Sequence, residues 1–285
     1  METVEELHQE YALQPAAESV RVQSCAWLLE LSLDWVVLRA SENIHHLLGE
    51  SHVTLIDEPL GRFVHAQALH DLRNLFSRLS GTTGIARAYA VRLTDEPELV
   101  DIAFQLESGR VILEAVPSAG SFGECFGSVG GLIAGLSESR GQALLDNASR
   151  RMRALTGYDR AVLTYGDQRA ESSRGSVGAA PADAGLPMFV ADIDGSATDV
   201  FPRHPNDRAL EAALLRAPGP DTIAALRDAG VRACLRLPFE ADGVRGEFRC
   251  DSRTAREPSF ELHAAAELFV QMFAMQLRMD RLRSS

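Results

Sequence analysis

The chain has 285 residues, of which 46% are hydrophobic and 24% charged. This is the composition of a globular protein, and the length allows two ordinary domains with real cores. The formal net charge of −12 opposes nonspecific attraction to nucleic-acid phosphates or anionic membranes, because lysine and arginine supply most of that binding. We therefore expect no nucleic-acid partner and no membrane partner.

The N-terminus and the cysteines indicate a reducing compartment. The acidic start, Met1-Glu2-Thr3-Val4-Glu5-Glu6, is not followed by an apolar run of signal-peptide or membrane-spanning length. The cysteines are scattered without a CxxC pair or a Cys/His cluster at zinc spacing, which predicts reduced thiols and no zinc site. We expect a cytoplasmic protein. The four cysteines are Cys25, Cys125, Cys234 and Cys250.

The first half of the chain predicts strands around a few helices. Strands are predicted at 27–31 and 36–40, followed by a short helix from Ser41 to Gly49, with Ser41 as its N-cap and Gly49 as its stop. Apolar residues at helical spacing predict a longer helix at 65–79. Further strands are predicted at 85–93, 99–106 and 111–116. This order resembles that of a PAS domain.

The second half follows a turn-rich linker at 117–121. It predicts strands at 160–165 and 188–191, a Gly-rich flexible loop at 166–187, a hairpin of 231–239 with 244–250, and flanking helices. The helices are predicted at 126–136, 142–155, 207–215, 221–229 and from 258 to about 283. This order resembles that of a GAF domain. We therefore predict an α+β chain with an extension at 1–20, a PAS-like domain at 21–117 and a GAF-like domain at 118–285.

Short motifs in a fixed order connect the two halves to one family. They are Val22-Gln23-Ser24-Cys25-Ala26, the helix from Ser41 to Gly49, Gly157-Tyr158-Asp159-Arg160, and Asp228-Ala229-Gly230-Val231-Arg232. The ordered set resembles the PAS–GAF chromophore-binding module of bacterial phytochromes. The resemblance implies a bilin pocket in the GAF domain, a homodimer, and a knot in which the N-terminal segment threads the GAF excursion at 201–216.

Several residues depart from the family's pattern for holding a bilin. The family's N-terminal attachment cysteine has no counterpart around Tyr11, and Thr222 stands where the family has a histidine. The segment 166–187 lacks the family's Pro-Ala-Ser-Asp-Ile-Pro motif. Arg216 does match an arginine that pairs with a bilin propionate. We take Arg216, Thr222, Tyr165 and Asp192 as candidate cofactor contacts, with no covalent cofactor expected and noncovalent biliverdin as the candidate ligand.

The last predicted strand of the hairpin alternates charged and apolar residues. Glu247, Arg249 and Asp251 share one face, and Phe248 and Cys250 share the other. A half-buried strand explains this pattern without a ligand.

Nothing in the sequence indicates an enzyme. The chain has no nucleophile elbow and no phosphate-binding glycine loop. Asp192 and Asp194 lie near a strand end, but no third ligand accompanies them to complete a cation site. We predict neither catalytic residues nor a metal site.

The terminal helix carries two apolar stripes. One stripe is Leu262, Ala266, Phe269 and Phe273, which suits packing on the domain's own sheet. The other has the alternating spacing of a coiled-coil seam and predicts a homodimer, although a single broad core face is an equal alternative. The seam residues are Leu268, Met272, Met275, Met279 and Leu282.

These observations predict a phytochrome-like signalling module that is not an enzyme and acts on a signalling partner protein. One alternative is a photoreceptor that binds biliverdin noncovalently or by an atypical attachment. Another is a sensor of a different small ligand. The sequence leaves open whether the chain stands alone or is part of a longer receptor.

Overall fold

A computed structural model describes residues 20–79, 84–119, 123–178, 188–203 and 208–284. Contacts divide the chain into two compact units. The first unit comprises residues 1–120 and 195–217, and the second comprises 121–194 and 218–285. The predicted extension up to residue 19 and residues 179–187 of the predicted loop lie outside the described residues.

The described strands form two separate antiparallel sheets, and we number them along the chain. They are β1 Arg21–Gln23, β2 Trp27–Leu31, β3 Val37–Ser41, β4 Ile85–Val91, β5 Val100–Glu107, β6 Arg110–Pro117, β7 Arg160–Tyr165, β8 Gln168–Ser173, β9 Phe189–Val190, β10 Ala197–Phe201, β11 Ala233–Ala241 and β12 Val244–Ser252.

The described α-helices flank these sheets. They are α1 His45–Leu48, α2 His52–Leu55, α3 Ala66–Ser77, α4 Glu124–Ala134, α5 Gly141–Thr156, α6 Arg208–Glu211, α7 Pro220–Asp228 and α8 Phe260–Ser284. The predicted α+β class, with two antiparallel sheets and flanking helices, is confirmed. No helix in the described ranges is both long enough and apolar enough to cross a membrane.

The first unit is built on a sheet with strand order β1-β10-β3-β2-β6-β5-β4. One face of this sheet packs against α3 and the short helices in an apolar core that includes Leu72, Phe104 and Leu113. Gly49, at φ 73°, ends α1 as the sequence predicts, and the side chain of Ser51 caps α2. The other face carries Leu28, Ile112 and Glu114, because neighbouring residues of a strand point to opposite faces.

The excursion at 195–217 packs on this second face. Val200, Leu210 and Ala213 share a buried cluster with Leu28 and Ile112. β1 pairs with β10 on the outgoing leg, and Val22 forms a bridge to Arg216 on the returning leg. Residues 21–23 therefore run between the two legs of the excursion, as the knot implied by the resemblance requires.

The second unit has a sheet with strand order β8-β7-β12-β11-β9. α5 and α8 pack on one face of it, and α5 ends at Gly157, which has φ 67°. The β11–β12 hairpin forms as predicted, with paired residues from Ala233↔Ser252 to Ala241↔Val244. Leu226 of α7 packs in a buried cluster with Val190 of β9 and Cys234 of β11.

One predicted loop is wrong. The segment predicted as flexible at 166–187 contains β8, which pairs with β7 from Arg160↔Ser173 to Tyr165↔Gln168. The strand forms because Ala170 and Ser172 are buried on the α5 side, where the Arg153 guanidinium donates to the Ser172 hydroxyl. Small buried residues give little apolar periodicity, so the sequence pattern does not reveal this strand.

The helix predicted at 207–215 is shorter than expected. α6 ends at Glu211, and the backbone N–H groups of Leu214 and Leu215 donate to the side chain of Glu114. The Glu114 carboxylate of β6 thus accepts the N–H groups of Leu214 and Leu215, which in a longer helix would bond to carbonyls of the preceding turn. Strands β1 and β10 were also absent from the sequence prediction.

Candidate functional site: the charged face of the second sheet

The face of the second sheet opposite α5 and α8 carries a ladder of charged side chains. The register places them together, because directly paired residues point to the same face: Asp251 lies opposite Arg160, and Arg249 lies opposite Arg236. We call this surface the charged face, and it comprises Arg160, Glu171, Arg236, Glu247, Arg249 and Asp251.

Arg160 is a buried residue of the charged face and is 4% exposed. Its Nε and Nη2 donate to the two carboxylate oxygens of Glu171 at 2.9 and 3.1 Å, and its Nη1 donates to the Gly178 carbonyl at 2.7 Å. Asp251 Oδ2 lies 3.5 Å from Nη1. The hydrogen bonds from Arg160 lower the pKa of Glu171, so this carboxyl group is ionised at neutral pH.

The other arginines of this face are also paired. Arg249 Nε donates to Asp251 Oδ1 at 2.8 Å, and Arg236 approaches the Glu247 carboxylate with Nε at 3.1 Å and Nη2 at 2.5 Å. Burial raises the pKa of Asp251, whereas Arg249 and Arg160 act in the opposite direction. The charged face thus satisfies much of its own charge with internal partners.

An open groove lies at the hairpin end of this sheet. Its volume is about 540 Å³. Thr164, Glu247 and Pro238 form one cross-strand row in its wall, next to the charged pair of Arg236 and Glu247. The lining residues are Thr164, Pro238, Phe239, Glu240, Arg245, Gly246 and Glu247.

The helix-covered face of the same sheet is apolar. Phe248 contacts Phe269 and Phe273 of α8 with ring centroids 6.1 and 5.2 Å apart. This confirms the alternation predicted for β12. Burial raises the pKa values of Cys250, on this face, and Cys234, on the charged face, to about 12, so both thiols stay protonated at neutral pH.

Tyr165, a candidate cofactor contact, lies on the helix-covered face. Its hydroxyl donates to the Ala241 carbonyl at 3.0 Å, and its ring packs with Phe239 and Ala274. The side chain is buried and its hydroxyl has a protein acceptor. Because its neighbour Thr164 pairs with Glu247 of the charged face, Tyr165 points to the opposite face.

The other three candidates belong to other parts of the chain. Asp192 accepts from Arg232 at 3.0 and 2.7 Å, and these hydrogen bonds lower its pKa. Thr222 is half-buried in the first turn of α7. Arg216 belongs to the first unit, where its carbonyl accepts from Gln23 Nε2 at 3.2 Å. All four remain predictions as cofactor contacts.

No group of three or more metal-ligating side chains occurs in the part of the chain that the structure describes. Asp192 and Asp194 instead pair with Arg232 and Arg227, the latter at 3.0 Å from Asp194. These ion pairs account for both carboxylates without a metal ion.

The two stripes predicted on the terminal helix separate in the structure. Phe269 and Phe273 are buried against the sheet, and Met272 is half-buried. Four residues of the predicted seam remain exposed: Leu268 at 39%, Met275 at 54%, Met279 at 42% and Leu282 at 79%.

Sequence reasoning identified the charges of β12 but missed their partners. Arg160 and Glu171 lie on two different strands, and one of these strands was predicted as a loop. Arg236 sits at the matching alternate position of β11. The available signal was the alternation of charged residues on neighbouring strands. This alternation identifies the ion pairs only once the register between the strands is known.

Comparison with solved structures places this fold among phytochromes. The chromophore-binding domain of a Stigmatella aurantiaca phytochrome matches with a TM-score of 0.71 and 25% identity, over 91% of this chain and 97% of that chain. The chromophore-binding domain of an unusual bacteriophytochrome from R. palustris matches with a TM-score of 0.73 and 21% identity, over 96% and 99% of the two chains.

A longer bacteriophytochrome structure from the photosynthetic bacterium R. palustris matches with a TM-score of 0.77 and 19% identity, and this chain spans 62% of it. No protein-family model and no curated protein matches the chain. Together with the two antiparallel sheets, these similarities confirm the resemblance inferred from the motifs: the chain has, at low sequence identity, the fold of bacteriophytochrome chromophore-binding domains.

Proposed function

We propose that this protein is a phytochrome-like sensory or signalling module that acts through protein–protein contact and carries no covalently attached bilin. The observation that carries the proposal is the charged face, whose arginines are occupied by carboxylates of the same sheet. The structural neighbours are chromophore-binding domains, so the proposal depends on whether this chain binds a chromophore.

The thiols argue against covalent attachment. A thioether forms through a reactive thiolate, but burial holds the pKa values of Cys234 and Cys250 at about 12. Cys25 is exposed, and the sequence has no cysteine before it. The side chain of Cys125 lies outside the described residues.

The charged face also fits a tetrapyrrole poorly. A bilin propionate would have to compete with Glu171 for Arg160, with Asp251 for Arg249, or with Glu247 for Arg236. For the buried pair of Arg249 with Asp251, leaving one partner uncompensated costs on the order of 3–5 kcal/mol; the cost is smaller for Glu171 and Glu247, which are partly exposed. A ligand therefore gains little from arginines that already have carboxylate partners.

A second candidate function is the sensing of a different small ligand. The open groove at the hairpin end, about 540 Å³ in volume, has both charged and apolar lining groups that a small ligand could contact. A photoreceptor that binds biliverdin noncovalently is the third candidate. The absorption experiment described next distinguishes it from the first two.

The test is coexpression of the full chain with a biliverdin source, followed by absorption spectroscopy before and after denaturation. We expect no red or far-red band. A band that disappears on denaturation would establish the noncovalent photoreceptor instead. A band that stays with the denatured chain would overturn the proposal, and Cys25→Ser compared with wild type would then show whether the exposed thiol is the attachment site.

We further propose that the module is a homodimer in which two copies of α8 pair through their exposed stripes. Leu268, Met275 and Met279 have the alternating spacing of a coiled-coil seam, and such a seam is complementary to a second copy of itself. The stripe is separate from the buried stripe of Phe269 and Phe273, so pairing does not require the core to open.

Sedimentation velocity at micromolar concentration tests this pairing. We expect a dimer for wild type, a monomer for Met279→Glu, and an unchanged dimer for Gln271→Glu, which adds the same charge at an exposed position outside the seam. A monomeric wild-type protein, or a dimer that survives Met279→Glu, would contradict pairing through α8.

A further inference from the structure

Glu114 is a buried carboxylate on the central strand β6 of the first unit. It is 2% exposed and lies between Leu28 of β2 and Ala103 of β5. Its Oε2 accepts the backbone N–H of Leu214 at 2.8 Å, and its Oε1 accepts that of Leu215 at 2.8 Å. Both donors belong to the returning leg of the excursion, about a hundred residues away in the sequence.

The same leg has neighbouring attachments to the first unit. Gln105 Nε2 donates to the Ala212 carbonyl at 2.6 Å, and the backbone N–H of Gln23 donates to the Leu215 carbonyl at 2.9 Å. Ala213 packs in the apolar cluster with Ile112. We call residues 212–216 the docked leg.

The carboxylate has amide donors but no cation. Charged groups lie on every element around it, and several have other partners: Glu30 pairs with Arg39 at 3.2 Å, and Asp101 accepts the backbone N–H of Ala90. Among the described residues, none of the surrounding charged groups forms an ion pair with Glu114. These groups are Arg21, Glu30, Arg39, Asp101, Glu107, Arg110, Asp199, Glu211 and Arg216.

We propose that Glu114 is a proton-linked latch, which holds the docked leg more tightly when its carboxyl group is protonated than when it is ionised. In the docked arrangement an ionised Glu114 must be buried without a cation. When the leg detaches, water reaches the carboxylate and solvates its charge. Detachment is therefore easier for the ionised form, and uptake of one proton from solvent favours docking.

The direction of the pKa shift agrees with this geometry. Burial raises the pKa of Glu114 from 4.5 to about 7, although the hydrogen bonds from Leu215 and Leu214 act in the opposite direction. A group whose pKa is higher in the docked state binds its proton more strongly there. Docking then strengthens as pH falls from 7 towards 4.5, by roughly tenfold for each pH unit.

Hydrogen exchange of the Leu214 and Leu215 amides in the full chain tests the latch. After correction for intrinsic exchange, we expect their protection to be tens of times greater at pH 5 than at pH 8. Glu114→Gln is neutral throughout this range and should lose the dependence. Glu211→Gln, at an exposed position of α6, should retain it. Protection that is constant or rises with pH in wild type would overturn the proposal.

A direct titration covers the case in which Glu114→Gln does not fold. The carboxyl carbon of Glu114 in wild type, followed by NMR, should titrate near neutral pH. An ordinary titration of Glu114 would show that the buried site does not bind the proton more strongly, and the latch would be refuted.

Discussion

Arg160→Met is the sharpest test of the charged face. The substitution keeps a long side chain beneath the ladder but removes the bidentate contact to Glu171, the donor to the Gly178 carbonyl and the nearest cation of Asp251 apart from Arg249. Glu171 keeps one contact, from Arg169 at 2.8 Å. Asp251 is fully buried and keeps only Arg249.

The expected loss of unfolding free energy is about 3 kcal/mol. Removing one partner of a buried ion pair costs about 3–5 kcal/mol, and the lower end applies because Glu171 is partly exposed and keeps Arg169. Arg253→Met is the matched control, since the Arg253 side chain is half-exposed and pairs with Asp159 at 3.2 Å. An exposed pair of this kind is worth about 0–1 kcal/mol.

The assay is urea unfolding of the full chain, followed by far-ultraviolet circular dichroism at neutral pH. Hydrogen exchange of the β7 and β12 amides should locate the loss in the second sheet. If Arg160→Met were as stable as Arg253→Met, the ladder would contribute no more than a surface ion pair. The arginines of the charged face would then be available to a ligand at little energetic cost.

Three further predictions follow from the second unit. Because Arg160 lowers the pKa of Glu171, this pair stabilises the fold above the unfolded pKa of 4.5 and loses that contribution as pH falls through the folded pKa; unfolding of Arg160→Met should therefore show a weaker acid dependence than wild type. Thiol labelling followed by mass spectrometry should modify Cys25 in the native protein but Cys234 and Cys250 only after unfolding, and rapid native labelling of either would contradict their burial. Phe248→Ala should cost about 3–5 kcal/mol in thermal or urea unfolding, because the ring is fully buried against α8, and a loss below about 1 kcal/mol would contradict that packing.

The sequence predicted those elements whose hydrogen bonds and turns involve only residues that are close together in the chain. Gly49 and Gly157 end helices with left-handed backbones at φ 73° and 67°, and the end at Gly49 was predicted from the glycine itself. The β11–β12 hairpin was also predicted, because its two strands are adjacent in sequence and its turn contains Asp242 and Gly243.

Elements that depend on distant partners were missed. β1 and β10 pair residues far apart in the chain, such as Arg21 with Asp199, and neither strand is long enough to show a period. Beyond the end of α6, Glu114 accepts the backbone donors of Leu214 and Leu215. In each case the deciding hydrogen bond comes from another part of the fold, which a local pattern does not contain.

The candidate site shows the same division. Alternation in β12 correctly separated the charges from Phe248, but it assigned no partners to Arg249 and Asp251. The partners depend on the register of β7, β8 and β11, so a pattern typical of a half-buried strand turned out to be an internally paired ladder.

The motifs that carried the resemblance have structural roles that need no chromophore. Gly157 supplies the left-handed end of α5, and Asp159 accepts the backbone N–H of Arg253 at 2.9 Å. Arg160 anchors the charged face, and Arg232 pairs with Asp192. Because these contacts hold helix ends, strand ends and the sheet together, a chain can keep all of them while its ligand chemistry changes. The resemblance therefore rests on residues that hold the fold together, and it identifies the fold and not the ligand.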